Sequence, residues 1–282
     1  MTSSVPPQRI RLIATDLDGT LLRNDKTVSP RNAEAIRLAH QAGLLVVGAT
    51  GRYLASLPSI LAPVGVDYAV TSNGAQCYQL STGKLLFEDT ISTDAAARII
   101  AHLTEHFPEA RTEVAIGDGW THYAQPGYAD LLSDLERRNF PIEYRVLTDL
   151  AEIDQPLIKV TARHPSLRPE VLLDSLLASG MPGFHPTTSG GPILEISGAG
   201  ITKAHGVARL AEQLGFDAEQ VMAIGDARND IELLGWAGIG VAMGNAIPET
   251  IAAADHTTAT NQEDGFALAV EALLAGRPLT AD

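Results

Sequence analysis

The sequence predicts an α/β fold: a doubly wound, mainly parallel sheet interrupted by an inserted α+β unit. Three observations carry this expectation. Short apolar runs of strand length alternate with amphipathic helical stretches near both ends of the chain. The middle of the chain breaks that alternation with runs of strand-like segments. The length of 282 residues exceeds a small module and suits a core carrying an insert. The expected division is a first core segment at 1–84, an α+β insert at 85–190 and a second core segment at 191–282.

IRLIAT at 10–15 has the composition of a buried strand and runs into DLDGTLL. Ser29-Pro30 supplies an N-cap and a proline at the first helical position, and Gly43 stops that helix. LLVVGA at 44–49 is a second buried strand ending in TGR, and DYAVTS leads to a turn at Asn73-Gly74. In the insert, helical segments are expected around 94–107, 128–138 and 168–179, between β-rich pieces such as RTEVAI, IEYRVL and LIKVTA. The alternation then resumes with a helix at 201–215, the strand VMAIGD at 221–226, IGVAM and a last helix, GFALAVEALLAG.

Composition narrows the function. Twenty Lys and Arg against 34 Asp and Glu leave a net charge of −14, which argues against a nucleic-acid backbone or an anionic membrane as a partner. A single cysteine, Cys77, excludes an intramolecular disulfide framework, and a small buried apolar role is expected for it. The opening MTSSVPPQ has neither a basic nor an apolar leader region, and no run approaches ~20 apolar residues. A cytoplasmic protein, monomeric or homodimeric, is expected.

Chemistry-bearing residues gather at the expected strand ends, where open parallel sheets bind ligands. Asp16 and Asp18 flank Leu17 after the first strand, and Gly19 permits a turn that brings both carboxylates to one crevice. Two such carboxylates repel and call for a cation or a proton. Thr50-Gly51-Arg52 ends the second strand as a hydroxyl-and-amide cradle. Gly225-Asp226-Ala227-Arg228-Asn229-Asp230 places three acid or amide side chains after a later strand, a donor set suited to a hard cation such as Mg²⁺. Lys203 opens a helix, where its ammonium and the helix N-terminus attract phosphate. Each element alone also fits an ordinary turn, cap or surface residue; together they point to one site.

In this combination the sequence resembles haloacid dehalogenase (HAD) superfamily phosphatases, specifically the Cof-type branch with a large cap between the second and third motifs. The matching stretches are DLDGTLL at 16–22, ATGR at 49–52, SNGA at 72–75, Lys203, GDARND at 225–230, VAMGNA at 241–246 and ADHTTATNQEDG at 254–265. They cover most of the chain outside the insert. The resemblance implies a Rossmann-like core with an α+β cap, and a Mg²⁺-dependent phosphatase acting on a small phosphorylated metabolite, a sugar phosphate or a phosphorylated cofactor. It implies Asp16 as the nucleophile that forms an aspartyl-phosphate and Asp18 as the general acid–base. It implies a metal held by Asp16, the Asp18 backbone carbonyl and Asp226, and phosphoryl oxygens held by Thr50, Gly51, Lys203 and Asn229. Asp230 would orient Lys203 or a metal-bound water from behind.

Arg52 either meets substrate or pairs with a core acid. In the insert, GDGWTHYAQ at 117–125 offers Trp120, His122 and Tyr123 as substrate contacts, or as ordinary packing. PTTSGGP at 186–192 is a hinge or a loop, His102 and His106 are expected as exposed histidines, and Glu136-Arg137-Arg138 as a solvated helix end. A phosphosugar mutase is the alternative enzyme class. A non-catalytic phosphometabolite-binding protein is the other, disfavoured by the presence of Asp16, Asp18, Asp226 and Lys203.

Overall fold

A computed structural model describes residues 10–117, 119–139 and 142–279. The MTSSVPPQ segment, Asp118 within the 117–125 stretch and the Arg138 side chain lie outside the described residues. Strands are β1 Leu12–Thr15, β2 Leu45–Ala49, β3 Tyr68–Thr71, β4 Gln76–Gln79, β5 Lys84–Glu88, β6 Arg111–Ile116, β7 Thr121–Ala124, β8 Glu143–Val146, β9 Leu157–Arg163, β10 Phe184–Thr187, β11 Leu194–Gly198, β12 Val221–Gly225, β13 Ile239–Ala242 and β14 His256–Thr257. Helices are α1 Pro30–Gln41, α2 Pro58–Leu61, α3 Thr93–His106, α4 Asp134–Asn139, α5 Pro169–Ala178, α6 Lys203–Leu214, α7 Ile231–Trp236, α8 Pro248–Ala253 and α9 Gly265–Leu274.

Two sheets result. The first runs β14-β13-β12-β1-β2-β3-β4-β5. Its strands are parallel from β14 to β3, with β1 in the middle between β2 and β12. Apolar side chains leave both faces of the central strands. Ile13 and Val46 meet Ile36 of α1 and Phe266 and Val270 of α9, whereas Leu12, Ala14 and Val47 meet Val207 and Leu210 of α6 and Leu233 of α7. Burial on both faces is why these strands read as continuous apolar runs. The β4 and β5 strands are antiparallel additions at one edge. The chain reverses there because Asn73 and Gly74 adopt φ of 57° and 104°. A side chain at Gly74 would also collide with the Thr202 carbonyl, 1.9 Å from its Cβ position.

The second sheet runs β10-β11-β9-β6-β7-β8 and is antiparallel except for β7 with β8. One face carries Val114, Val160, Ala162 and Ile196 onto Ile99 and Leu103 of α3 and Leu172 and Leu176 of α5. This is the α+β organisation expected of the insert. Residues 84–88 pair with β4 in the first sheet, and Leu194–Gly198 pairs with β9 in the second. Sheet membership is thus a matter of long-range pairing, with Lys84–Glu88 in the first sheet and Leu194–Gly198 in the second. The segment expected as a helix over 128–138 forms only a 3₁₀ turn at Ala129–Leu131 and the short α4. Among the described residues no helix is long and apolar enough to cross a membrane.

Candidate active site

The parallel sheet delivers its loops to one edge. Asp16 follows β1, Thr50 follows β2 and Asp226 follows β12, and these three strands are neighbours. Lys203 is the first residue of α6, whose N-cap Thr202 accepts a hydrogen bond from the His205 amide. Its side chain is fully buried, and Nζ donates to Asp16 Oδ1 at 2.5 Å and to Asp230 Oδ1 at 2.7 Å. Asp230 spends its other oxygen on the amides of Asp226 and Ala227, both at 3.0 Å. One carboxylate thus fixes the 225–230 loop and orients the lysine.

Charge is crowded here. Carboxylate oxygens of Asp16, Asp226 and Asp230 lie within 4.8 Å of one another. Burial raises the Asp16 carboxyl well above its ordinary value; Lys203 opposes this, and Asp230 and Asp226 add to it. Burial, followed by Asp230, pushes Asp226 up to about 7. Burial works against the charge on Lys203, but Asp16 and Asp230 outweigh it and raise the ammonium above the usual lysine range. A further cation is what this set of hard oxygen donors lacks, and the residues fit a divalent metal. Gly19 keeps room for it: a Cβ there would sit 2.4 Å from Asp226 Oδ2. Thr20 donates to Asp226 Oδ1 at 2.8 Å and steadies that carboxylate.

Asp18 stands apart from this cluster. Arg52 grips it with two bonds, Nε to Oδ2 at 2.6 Å and a terminal nitrogen to Oδ1 at 2.7 Å, and Lys26 Nζ adds a third at 2.7 Å. Burial alone would raise this carboxyl, yet the Arg52 hydrogen bonds and charge, joined by Lys26, hold it at about 2. Arg52 thus pairs with Asp18 and also stands at the cavity described below.

Thr50 and Gly51 form a tight loop against Asn73. The Arg52 amide donates to Thr50 Oγ1 at 3.1 Å, and the Asn73 amide to the Thr50 carbonyl at 3.0 Å. Asn229 Nδ2 donates to Asn73 Oδ1 at 2.9 Å. The SNGA and GDARND stretches, 156 residues apart, are joined by that bond.

A cavity of ≈ 630 Å³ opens over these loops, with Asp16, Asp18, Thr50, Gly51, Arg52 and Asp226 on one side and the second sheet on the other. That sheet presents its polar face: Glu113, Lys159, Thr161, Arg163 and Glu195 line the cavity together with Tyr128 and Tyr144. Trp120, His122 and Tyr123 do not line it. Trp120 is 51% exposed, the fully buried His122 bonds through Nδ1 to Glu113 behind the wall, and Tyr123 lies under Arg145. Trp120 precedes β7, which carries His122 and Tyr123, whereas the cavity is lined from β6, β8, β9 and β11. Glu136 is likewise no merely solvated helix end, since it accepts from Arg163 at 2.6 Å and lines the cavity. The 189–192 part of PTTSGGP is cavity wall. His102 and His106 stack with ring centroids 4.2 Å apart, and His102 is bonded to Ser175 rather than exposed.

The residues missed in the sequence had a signal. In LIKVTAR, Lys159, Thr161 and Arg163 alternate with Val160 and Ala162, a period of two with charge on one face. A strand that is buried along its whole length yet polar on alternate positions must face a polar interior.

Comparison with known proteins agrees with this geometry. The family model described as haloacid dehalogenase-like hydrolase matches residues 13–270. The chain is 32% identical over 266 residues, 93% of this chain and 94% of the relative, to the 5-amino-6-(5-phospho-D-ribitylamino)uracil phosphatase YcsE of Bacillus subtilis (strain 168). It is 32% identical over 254 residues, 87% of this chain and 88% of the relative, to the HMP-PP phosphatase of Cronobacter sakazakii (strain ATCC BAA-894). A solved haloacid dehalogenase-like hydrolase from B. subtilis superposes with a TM-score of 0.80 at 28% identity, covering 93% of this chain and 99% of that one. Strand-end acids, a buried lysine and these matches across nearly the whole length agree: the chain belongs to the haloacid dehalogenase-like hydrolase family, in its Cof-type phosphatase branch.

Proposed function

We propose that this phosphatase hydrolyses a small phosphorylated metabolite, a sugar phosphate or a phosphorylated cofactor, through an aspartyl-phosphate on Asp16, with Mg²⁺ as its metal. The observation that carries this reading is the convergence of Asp16, Thr50 and Asp226 on one side of a cavity large enough for such an ester, with Lys203 bonded to Asp16. By their names the relatives act on 5-amino-6-(5-phospho-D-ribitylamino)uracil and on HMP-PP, and this chain's cavity has room for a leaving group of small-metabolite size.

In this reading Asp16 attacks phosphorus, the ester oxygen departs with a proton from Asp18, and water then displaces the phosphate from Asp16 with Asp18 taking its proton. Lys203 holds Asp16 in line and, with the Thr50 hydroxyl, the Gly51 amide and Asn229, receives the phosphoryl oxygens. Asp230 keeps Lys203 aimed at this point. Asp16, the Asp18 carbonyl and Asp226 would hold Mg²⁺, whose charge offsets repulsion between a carboxylate and a phosphate dianion. Asp18 cannot act as an acid while three donors hold it near 2. A phosphate dianion entering beside Lys26 and Arg52 competes for both cations, and that competition frees the Asp18 carboxyl to bind a proton. The second sheet serves as a cap over the reacting group and reads the leaving group.

Phosphate release from a panel of hexose and pentose phosphates, pyridoxal phosphate, flavin mononucleotide and nucleotides, with Mg²⁺ and with EDTA, tests the reading. Metal-dependent release is expected. Conversion to an isomeric phosphoester without free phosphate would make it a mutase instead.

A further inference from the structure

Lys159 belongs to the second sheet, yet two of its partners lie in the loop that follows β2 of the first. The residue is 1% exposed, and Nζ donates to the Gly51 carbonyl and to Glu195 Oε1, both at 2.7 Å. The same ammonium lies 4.4 Å from the centroid of the Tyr53 ring. It therefore holds the chain on both sides of Arg52, by a carbonyl before it and by an aromatic face after it. Glu195, from the neighbouring strand β11, completes the contact. A Cβ on Gly51 would fall 2.7 Å from Glu195 Oε1, so glycine is what lets the ion pair seat against this loop.

The consequence is stereochemical. Fixing the Gly51 carbonyl fixes the plane of the Gly51–Arg52 peptide, because that unit is rigid. The Arg52 amide of this plane points to Thr50 Oγ1 at 3.1 Å. With that lone pair taken, the Thr50 hydroxyl keeps its proton for a different acceptor. We infer that Lys159 is a positioning residue: closure of the second sheet, through the Lys159–Gly51 bond, sets the Thr50–Gly51 loop in the geometry that grips a phosphoryl group. This deepens the proposed function and rests on its assignment of Thr50 and Gly51 to the phosphate. Since Lys159 also lines the cavity, the competing role is a direct contact with the leaving group, and the two roles separate experimentally.

The experiment compares wild type, Lys159→Met and Lys159→Arg by kcat and KM on the best ester of the panel, and by competitive inhibition with inorganic phosphate, which has no leaving group. Lys159→Met is expected to weaken phosphate inhibition and lower kcat/KM together, by about 10- to 100-fold, the scale of misplacement by a supporting group. Lys159→Arg, which retains a donor, is expected to recover most of both. Wild-type phosphate inhibition in a folded Lys159→Met protein overturns the inference, including when ester turnover falls, since that pattern marks a leaving-group contact. If the methionine strands the Glu195 charge and the protein fails to fold, the double variant Lys159→Met/Glu195→Gln removes the pair as a unit and carries the same comparison. Active wild type with indifferent Lys159 variants overturns this inference alone. A folded, magnesium-binding wild type that releases no phosphate overturns the reading beneath it.

Discussion

At the scale of single residues, Lys203 decides the charge balance. It neutralises one of three neighbouring carboxylates and is held between Asp16 and Asp230. Asp16→Asn removes the attacking carboxylate but keeps an oxygen in reach of Lys203, so the fold survives and turnover does not. A loss on the order of 10³-fold or more in kcat is expected, with a melting temperature within about 5 °C of wild type. Near-wild-type rates in that variant would remove Asp16 from the reaction. Asp18→Asn is expected to slow both steps, which acid quench would reveal as accumulated phosphoenzyme labelled from a ³²P-phosphoester. These acids were legible in the sequence because both follow the first strand, at a bend marked by Gly19. The Arg52–Asp18 pair was not legible, since 34 residues separate its partners and sequence alone offers Arg52 two equally good roles.

Secondary-structure elements act here through what they hold in register. The turn at 72–74 packs on the start of α6: a Cβ on Gly206 would meet Gly74 Cα at 2.8 Å, and one on Gly74 would meet the Thr202 carbonyl. Gly74→Ala adds a collision to a φ of +104°. It is expected to cost at least ~2 kcal/mol in urea unfolding and to displace Lys203, lowering kcat more than a surface Gly→Ala change would. A second prediction concerns the polar face of the second sheet. Glu113 on β6 bonds to His122, accepts from Tyr53 at 3.2 Å and from Thr161 at 3.1 Å. Burial would raise its carboxyl, but the charge and hydrogen bond of His122, a hydrogen bond from Tyr128 and the charge of Lys159 hold it at about 2. A carboxyl depressed on folding contributes stability above its unfolded value, and that stability is lost as pH falls through the folded value. Between pH of about 4.5 and about 2, wild type therefore loses on the order of 3 kcal/mol through this group. Glu113→Gln is expected to be less stable at neutral pH and to show a flatter acid limb in the same interval; parallel limbs would refute the assignment.

For the whole molecule, the arrangement of two sheets around one cavity is the functional unit. In the proposed function the first sheet supplies groups that any phosphoester needs, and the wall of Glu113, Lys159, Thr161 and Arg163 on the second would select among leaving groups. Buried carboxylates without a counter-ion tax the fold, so a bound divalent cation should stabilise it. At a hundredfold excess over its Kd, Mg²⁺ is expected to add about 2.7 kcal/mol, read as a rise in melting temperature that Asp226→Asn abolishes. An unchanged melting temperature at saturating Mg²⁺ would contradict the metal assignment.

Taken alone, the sequence determined the class of fold and which acids stand at strand ends, because both are local: an apolar run, a glycine and a nearby acid state their geometry within a few residues. The doubly wound core and the antiparallel turn at Asn73-Gly74 follow from the same short-range rules. Tertiary structure alone decided which sheet claims residues 84–88 and Leu194–Gly198, and which strands of the insert face the cavity. It moved attention from Trp120, His122 and Tyr123 to Lys159 and its neighbours. The physical reason is that strand periodicity assigns a side chain to one face or the other, whereas the order of strands in the sheet determines what that face meets.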